Sequence, residues 1–220
     1  MSSADLFVTV DRYIDELFAP EDEVLTGALA RSKAAGLPDI QVSAGQGKFL
    51  YLLAKLVGAK RILELGTLGG YSTIWLARAL PEDGKLTTLE YEPRHAEVAR
   101  ANIAAAGLAD KVEVVVGTAT ETLPDVIDRA GPFDLVFVDA DKNNYPNYLR
   151  EIMRGVRSGS LILGDNVVRR GGVLDPKGDV NSAGAREFNA LIAADPRLEA
   201  VVLQQVGIKG HDGIAVARVN

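Results

Sequence analysis

Apolar residues recur at helical spacing over residues 5–18 (Leu6, Val10, Tyr13, Ile14, Leu17) and 21–35 (Val24, Leu25, Ala28, Leu29). Spacing of this kind lays a stripe along one helix face. Gly36-Leu37-Pro38-Asp39 breaks the pattern, which resumes over Gln46–Val57 through Phe49, Leu50, Leu52, Leu53 and Leu56. After Lys60 its character changes. Short apolar runs (Arg61–Leu65, Lys85–Glu90, Val112–Val116, Phe133–Val138, Ser160–Leu163) alternate with amphipathic stretches (Ser72–Ala79, Arg94–Ala106, Glu121–Arg129, Tyr145–Gly155). Runs apolar on both faces and separated by helices predict a parallel sheet covered on each side. Leu198–Gln204 and Gly213–Val219, joined by a short glycine-containing connection, predict a closing antiparallel hairpin. The expected fold is α/β: a Rossmann-like, doubly wound, mostly parallel seven-stranded sheet with extra N-terminal helices. One domain is expected over residues 1–220, a helical cap (1–58) on a sheet core (59–220). The leading helices hold more apolar residues than one face against a sheet needs, which predicts a homodimer.

Composition narrows the function classes. At 220 residues, 47% hydrophobic and 25% charged, the chain is ordinary globular protein and not a disordered one. It has no cysteine, which excludes a disulfide framework, a thiolate zinc site and a cysteine nucleophile. No apolar run nears the roughly 18 residues that span a bilayer. The opening residues lack the basic patch and apolar stretch of a signal peptide. A cytoplasmic location without a membrane partner is therefore expected. With 24 basic against 30 acidic side chains, a net of −6, the chain gains little from phosphate contacts, which argues against a nucleic-acid partner.

In open parallel sheets ligands bind beyond the carboxyl ends of the strands, near the switch in strand order. The first strand ends in Glu64-Leu65-Gly66-Thr67-Leu68-Gly69-Gly70-Tyr71-Ser72. A dinucleotide fingerprint would read G-x-G-x-x-G. Here the pattern is E-x-G-x-x-G-G, with Leu68 at the second glycine and a carboxylate, Glu64, before the turn. That acid repels pyrophosphate and suits an ammonium group. Glu90 closes the second strand, where an acid accepts hydrogen bonds from both ribose hydroxyls. Either acid could instead be solvated or cap a helix. Together they point to an adenosine ligand with a cationic amino-acid tail, which describes S-adenosylmethionine.

The fourth strand ends in Asp139-Ala140-Asp141-Lys142 and the fifth in Gly164-Asp165-Asn166. Consecutive parallel strands end on one edge, so Asp139, Asp165 and Asn166 can converge. Two carboxylates and an amide oxygen suit Mg²⁺, Mn²⁺ or Ca²⁺, with positions left for water or substrate. The alternatives are a helix cap at Asp139 or Asp141 and an Asx-turn at Asp165-Asn166. His95 and His211 read as surface or structural residues away from this edge.

Several stretches resemble the cation-dependent class I O-methyltransferases, the group of the catechol and caffeoyl-coenzyme A enzymes. They are Val42–Gly47, Glu64–Ser72, Val138-Asp139-Ala140-Asp141-Lys142-Asn143-Asn144-Tyr145, Gly164-Asp165-Asn166, Arg186–Asn189 and Gly213–Ala217. The resemblance spans nearly the whole chain. It implies donor contacts at Val42, Glu64, Gly66, Thr67, Ser72, Glu90, Ala119 and Asp139, and a metal site at Asp139, Asp165 and Asn166. It also implies Lys142 as general base, with Asp139 beside it in catalysis. The expected reaction is methyl transfer from S-adenosylmethionine to one of two adjacent hydroxyls of a small phenolic substrate. One departure stands out: plant members usually carry tryptophan where this chain has Arg169. The charges of segment Val167–Ala183 (Arg169, Arg170, Lys177) could meet an acidic substrate or coenzyme A phosphates, or form a solvated loop. The rival readings are a metal-independent methyltransferase, a nicotinamide oxidoreductase lacking its glycine fingerprint, and a non-catalytic donor-binding module.

Overall fold

The computed structural model describes residues 2–220; Met1, the first residue of the expected cap, lies outside the described residues. Three helices lead: α1 (Ser3–Phe18), α2 (Glu23–Ala34) and α3 (Ala44–Leu56). Ser2, Asp22 and Ser43 cap them, each side chain accepting a backbone N–H of the first turn. The alternating region follows as β1 (Arg61–Leu65), α4 (Tyr71–Ala79), β2 (Lys85–Glu90), α5 (Pro93–Ala105), β3 (Val112–Val116), α6 (Ala119–Ala130) and β4 (Phe133–Val138). A short 3₁₀ turn (Lys142–Asn144) then leads into α7 (Tyr145–Ile152), β5 (Val156–Gly164) and a second 3₁₀ segment (Arg169–Leu174). The chain closes with α8 (Val180–Ala194), β6 (Leu198–Gln205) and β7 (Asp212–Val219).

The sheet has seven strands in the order β3-β2-β1-β4-β5-β7-β6. β7 runs antiparallel to both β5 and β6, and the other pairs are parallel. The expected α/β architecture and closing hairpin are therefore present. Strand order reverses between β1 and β4, the switch at which open sheets bind ligands. One apolar core lies on each face. Leu25, Leu50, Ile74, Leu76 and Ile103 pack over Ile62, Leu135 and Phe137 on one side. Val126, Ile127, Tyr145, Leu149, Phe188 and Ile192 pack over Leu63, Leu65, Val136 and Val138 on the other. Among the described residues no helix is long and apolar enough to cross a membrane.

Three features differ from the sequence expectation. α7 ends at Ile152, and β5 begins at Val156 instead of Ser160. The pairing Phe133↔Val156 skips to Leu135↔Leu161, so β5 bulges, with Gly159 at φ +90°. Ser160 Oγ closes the bulge by donating to the Phe133 carbonyl at 2.7 Å. The helix α8 falls partly within the segment read as a charged loop: Asp179 caps it by accepting from Asn181 N and Ser182 N. Asp141 does not cap by its side chain, which instead accepts from the Tyr148 hydroxyl and Asn144 Nδ2.

Two packing details aim elements at the strand ends. Buried Asn102 of α5 donates from Nδ2 to the Gly69 carbonyl at 2.8 Å and accepts Arg31 Nε of α2 at 2.6 Å. The first helices are thereby tied to the glycine turn. On the other face Gly184 of α8 lies against the Lys142 turn, and a Cβ there would fall 2.2 Å from the Lys142 carbonyl oxygen and 2.7 Å from Asn143 Cα. Backbone cannot yield as a side chain can. Gly184→Ala is expected to cost about 1–3 kcal/mol by overpacking and to lower Tm by several degrees in calorimetry. An unchanged Tm would show that α8 does not hold this turn.

Candidate functional site

The site grows from the ends of β1, β2, β4 and β5. β1 and β4 leave the sheet almost in contact: Asp139 N donates to the Leu65 carbonyl at 2.8 Å. A Cβ on Gly66 would lie 2.1 Å from the Asp139 carbonyl oxygen, and Gly66 has φ +96°. Only glycine satisfies both constraints. The turn continues through Leu68 at φ +50°, a residue type that seldom adopts this region. Glu90 holds it there, its Oε2 accepting Thr67 N at 3.1 Å and Leu68 N at 2.7 Å. The other oxygen accepts Glu92 N at 3.0 Å and lies 3.4 Å from His95 Nδ1.

Above these strand ends opens a cavity of about 770 Å³, walled by Val42, Gly66, Thr67, Ser72, Glu90, Ala119, Asp139, Lys142 and Asn166 among others. Seven of the eight expected donor contacts stand on its wall, and Glu64 does not. Glu64 lies fully buried beneath it, accepting Ser72 Oγ at 2.7 Å and the Thr73 hydroxyl. Its influence on a ligand passes through the Ser72 hydroxyl. Burial pushes the Glu64 carboxyl up to about 7 despite these two hydroxyl donors. His95, read from sequence as away from the Asp139, Asp165 and Asn166 edge, stands on the cavity wall beside Glu90 at the end of β2.

The acid and amide set stands where the cavity turns toward β5. Lys142 Nζ lies 2.6 Å from Asp139 Oδ1, both largely shielded from solvent. Asp165 is 5% exposed, and its N–H donates to the Val138 carbonyl at 3.0 Å. Tyr145, wholly buried, clamps the two strand ends by sharing its hydroxyl between the carbonyls of Val138 (2.8 Å) and Asp165 (3.0 Å). Burial, then the charge of Asp139, pushes the Asp165 carboxyl upward, and Lys142 opposes this only in part. Among the described residues no three His, Cys, Asp or Glu side chains form a metal cluster. The set here is two carboxylates and an amide. Its desolvated, mutually repelling carboxylates and oxygen-only chemistry fit a hard divalent cation.

A second cavity, of about 960 Å³, adjoins the first and shares Val42, Asn166 and Arg169 with it. It lies among α1, the start of α3, the 169–174 segment and the β6–β7 connection. Asp11 of α1 accepts Ile208 N at 2.7 Å and holds that connection. Gln46, Arg169 and Asp15 line this cavity and were not singled out as site residues from sequence. Gln46 lies inside the Val42–Gly47 stretch, the one available signal. Arg169 stood out only as a departure, and Asp15 carried no local mark.

The comparisons with known proteins agree with this geometry. A family profile described as O-methyltransferase matches residues 16–219. A catechol O-methyltransferase of Niastella koreensis is 50% identical over 216 residues, covering 97% of this chain and 98% of that protein. An O-methyltransferase from Bacillus cereus, solved in complex with SAH, superposes with a TM-score of 0.96 at 46% identity, covering 99% of this chain and 100% of that one. The O-methyltransferase TomG from Streptomyces achromogenes, involved in tomaymycin synthesis and solved with SAM, gives 0.96 at 45% identity over the full length of both chains.

Glu64 provides a stability test of the site. Its carboxyl is raised from an ordinary 4.5 to about 7 on folding. The folded state therefore holds this proton more tightly, and the associated stability is full below pH 4.5 and lost as pH rises through 7. The loss is on the order of 3 kcal/mol. In urea unfolding with chelator present, Glu64→Gln is expected to show a flatter dependence across this window than the parent. Parallel pH profiles would remove the buried titration.

Proposed function

On the premise that this chain belongs to the O-methyltransferase family, as its profile match and its close relatives establish, we propose a specific reaction for it. The protein is an S-adenosylmethionine-dependent O-methyltransferase. Its proposed reaction is divalent-cation-dependent methyl transfer to one hydroxyl of a vicinal dihydroxy-aryl molecule, of catechol or caffeoyl type. The observation that carries this reading is the Asp139–Lys142 pair at 2.6 Å on the wall of the donor cavity, next to Asn166 and the second cavity.

In this reading Glu90 takes the ribose hydroxyls, while the Gly66–Thr67 turn and Ser72, backed by Glu64, take the amino-acid end. Val42 and Ala119 complete the donor walls. Asp139, Asp165 and Asn166 would hold Mg²⁺, or Mn²⁺ or Ca²⁺ on the same donor preference. A phenol titrates near 10, and a shift of about 3 units is worth roughly 4 kcal/mol, which a bound dication supplies as a Lewis acid. As the neutral amine Lys142 takes the acceptor's proton and becomes the ammonium that pairs with Asp139, which orients its Nζ. The walls of the two cavities hold donor and acceptor at attack distance, so the entropy of bringing them together is lost on binding and not in the reaction step.

We further propose that the protein acts in the cytoplasm as a homodimer. α1 has no buried residue, and its stripe includes Tyr13 at 63% and Leu17 at 56% exposure. A second copy is the proposed cover. A double substitution, Tyr13→Asp with Leu17→Asp, is expected to shift a dimer to monomer in sedimentation velocity. A parent that sediments as a monomer would remove the dimer.

The reaction is tested by methyl transfer to a panel of catechol and caffeoyl acceptors with Mg²⁺, then with excess chelator. Loss of product on chelation is expected; product that survives would favour a metal-independent enzyme. Asp165→Ala is expected to abolish turnover while donor affinity stays largely intact by calorimetry. Lys142→Ala should lower kcat by about 10²–10⁴-fold, the usual share of general-base catalysis, with little change in donor binding. A normal rate in that variant would leave proton removal to water.

A further inference from the structure

Resting on the vicinal-hydroxyl reading of the site, we infer that Arg169 selects acceptors whose aromatic ring also carries a carboxylate. Arg169 stands on the walls of both cavities, as Asn166 does. Its Nε is buried without a hydrogen-bond partner. Among the described residues its guanidinium enters no ion pair within 4.0 Å. A buried donor of a charged group left without a partner is costly and calls for an explanation.

Several carboxylates on the walls of the second cavity are already engaged. Asp212 Oδ1 accepts the N–H groups of Val168 (3.1 Å), Arg169 (2.8 Å) and Gly213 (2.9 Å). Asp179 caps α8 and also accepts Ser182 Oγ at 2.7 Å. Asp11 holds Ile208 N, and Asp39 accepts Gln41 Nε2 at 2.8 Å with Lys209 3.7 Å away. Asp15, on the α1 wall, has a buried oxygen without a partner, and burial, then the neighbouring Asp11, push its pKa up. Among the described residues the Arg169 guanidinium is thus a cation at the junction without an ion-pair partner.

The backbone is built to present it. Arg169 and Arg170 sit at φ +54° and +53°, ahead of Gly171 at +86°. Two consecutive non-glycine residues in this region are strained, and such strain persists where the surroundings over-determine it, often at ligand clamps. The three N–H groups on Asp212 supply that determination. A guanidinium at the end of such a turn offers a planar fork that matches a carboxylate. Its place at the junction of the cavities, and not at an exposed rim, fits a carboxylate borne on the ring better than a phosphate at the end of a long thioester.

The test compares kcat/KM, with Mg²⁺, for protocatechuate and its methyl ester, which differ in the charge and one methyl group. The parent is expected to favour the acid by about 10–100-fold, the range of a hydrogen bond to a charged group. In Arg169→Met this preference should collapse to near unity, and Arg169→Lys should restore part of it. Calorimetry of protocatechuate on protein loaded with S-adenosylhomocysteine should show the same loss, with Tm and S-adenosylhomocysteine affinity serving as the check on folding. An acid-to-ester ratio near one in the parent, or one unchanged in Arg169→Met, overturns the inference. So does a coenzyme A thioester that outcompetes the free acid and loses as much in the variant, since Arg169 would then serve phosphate. Failure of the underlying reading is separate: neither probe is methylated, and binding alone decides. Protocatechuate bound by the parent and not by Arg169→Met still supports the carboxylate subsite, whereas equal binding overturns it.

Discussion

The near-contact of the β1 and β4 ends governs the rest of the site. With no side chain at residue 66, the turn after β1 crosses directly over the Asp139 carbonyl. Asp139 thereby belongs at once to the donor cavity and to the oxygen set that continues into β5. A larger residue at 66 would separate the two strand ends, and with them the donor from the hydroxyl it methylates. Proximity of this kind is a large part of what an enzyme contributes to a two-reactant step.

Around that crossing the chain buries several carboxylates, and each is used differently. Glu90 is satisfied by backbone N–H groups and fixes the turn while still facing the cavity. Glu64 is satisfied by hydroxyls and sits behind the wall. Asp165 has the Asn166 N–H and a like-charged neighbour, and is the least compensated of the three. This gradation, from structural clamp to open ligand site, follows from how many protein donors reach each acid.

The sheet, the glycine turn and the strand-end acids were legible because each is written locally: alternation of apolar runs, a glycine cluster, acids immediately after strands. The less legible parts depend on distant packing. Whether Glu64 faces a ligand or the core is decided by Ser72 and Thr73 folding back over it. His95 reached the cavity wall because α5 starts directly beside Glu90. The early start of β5 rests on a bulge at Gly159 that periodicity does not encode. Arg169 looked like a solvated charge in a loop, and only the fold reveals that both cavities share it.

The two cavities have different origins in the chain. The donor cavity is made largely of strand ends and the turns after them, so its shape is locked to the sheet. The second is assembled largely from appended pieces: α1, the start of α3, the 169–174 segment and the β6–β7 connection. The Asp11–Ile208 contact ties two of those pieces to each other, and Asp212 at the start of β7 ties the 169–174 segment to the sheet. Substrate choice can therefore drift over evolutionary time without disturbing cofactor recognition. One methyl-donor engine can serve a succession of acceptors by exchanging surface segments alone.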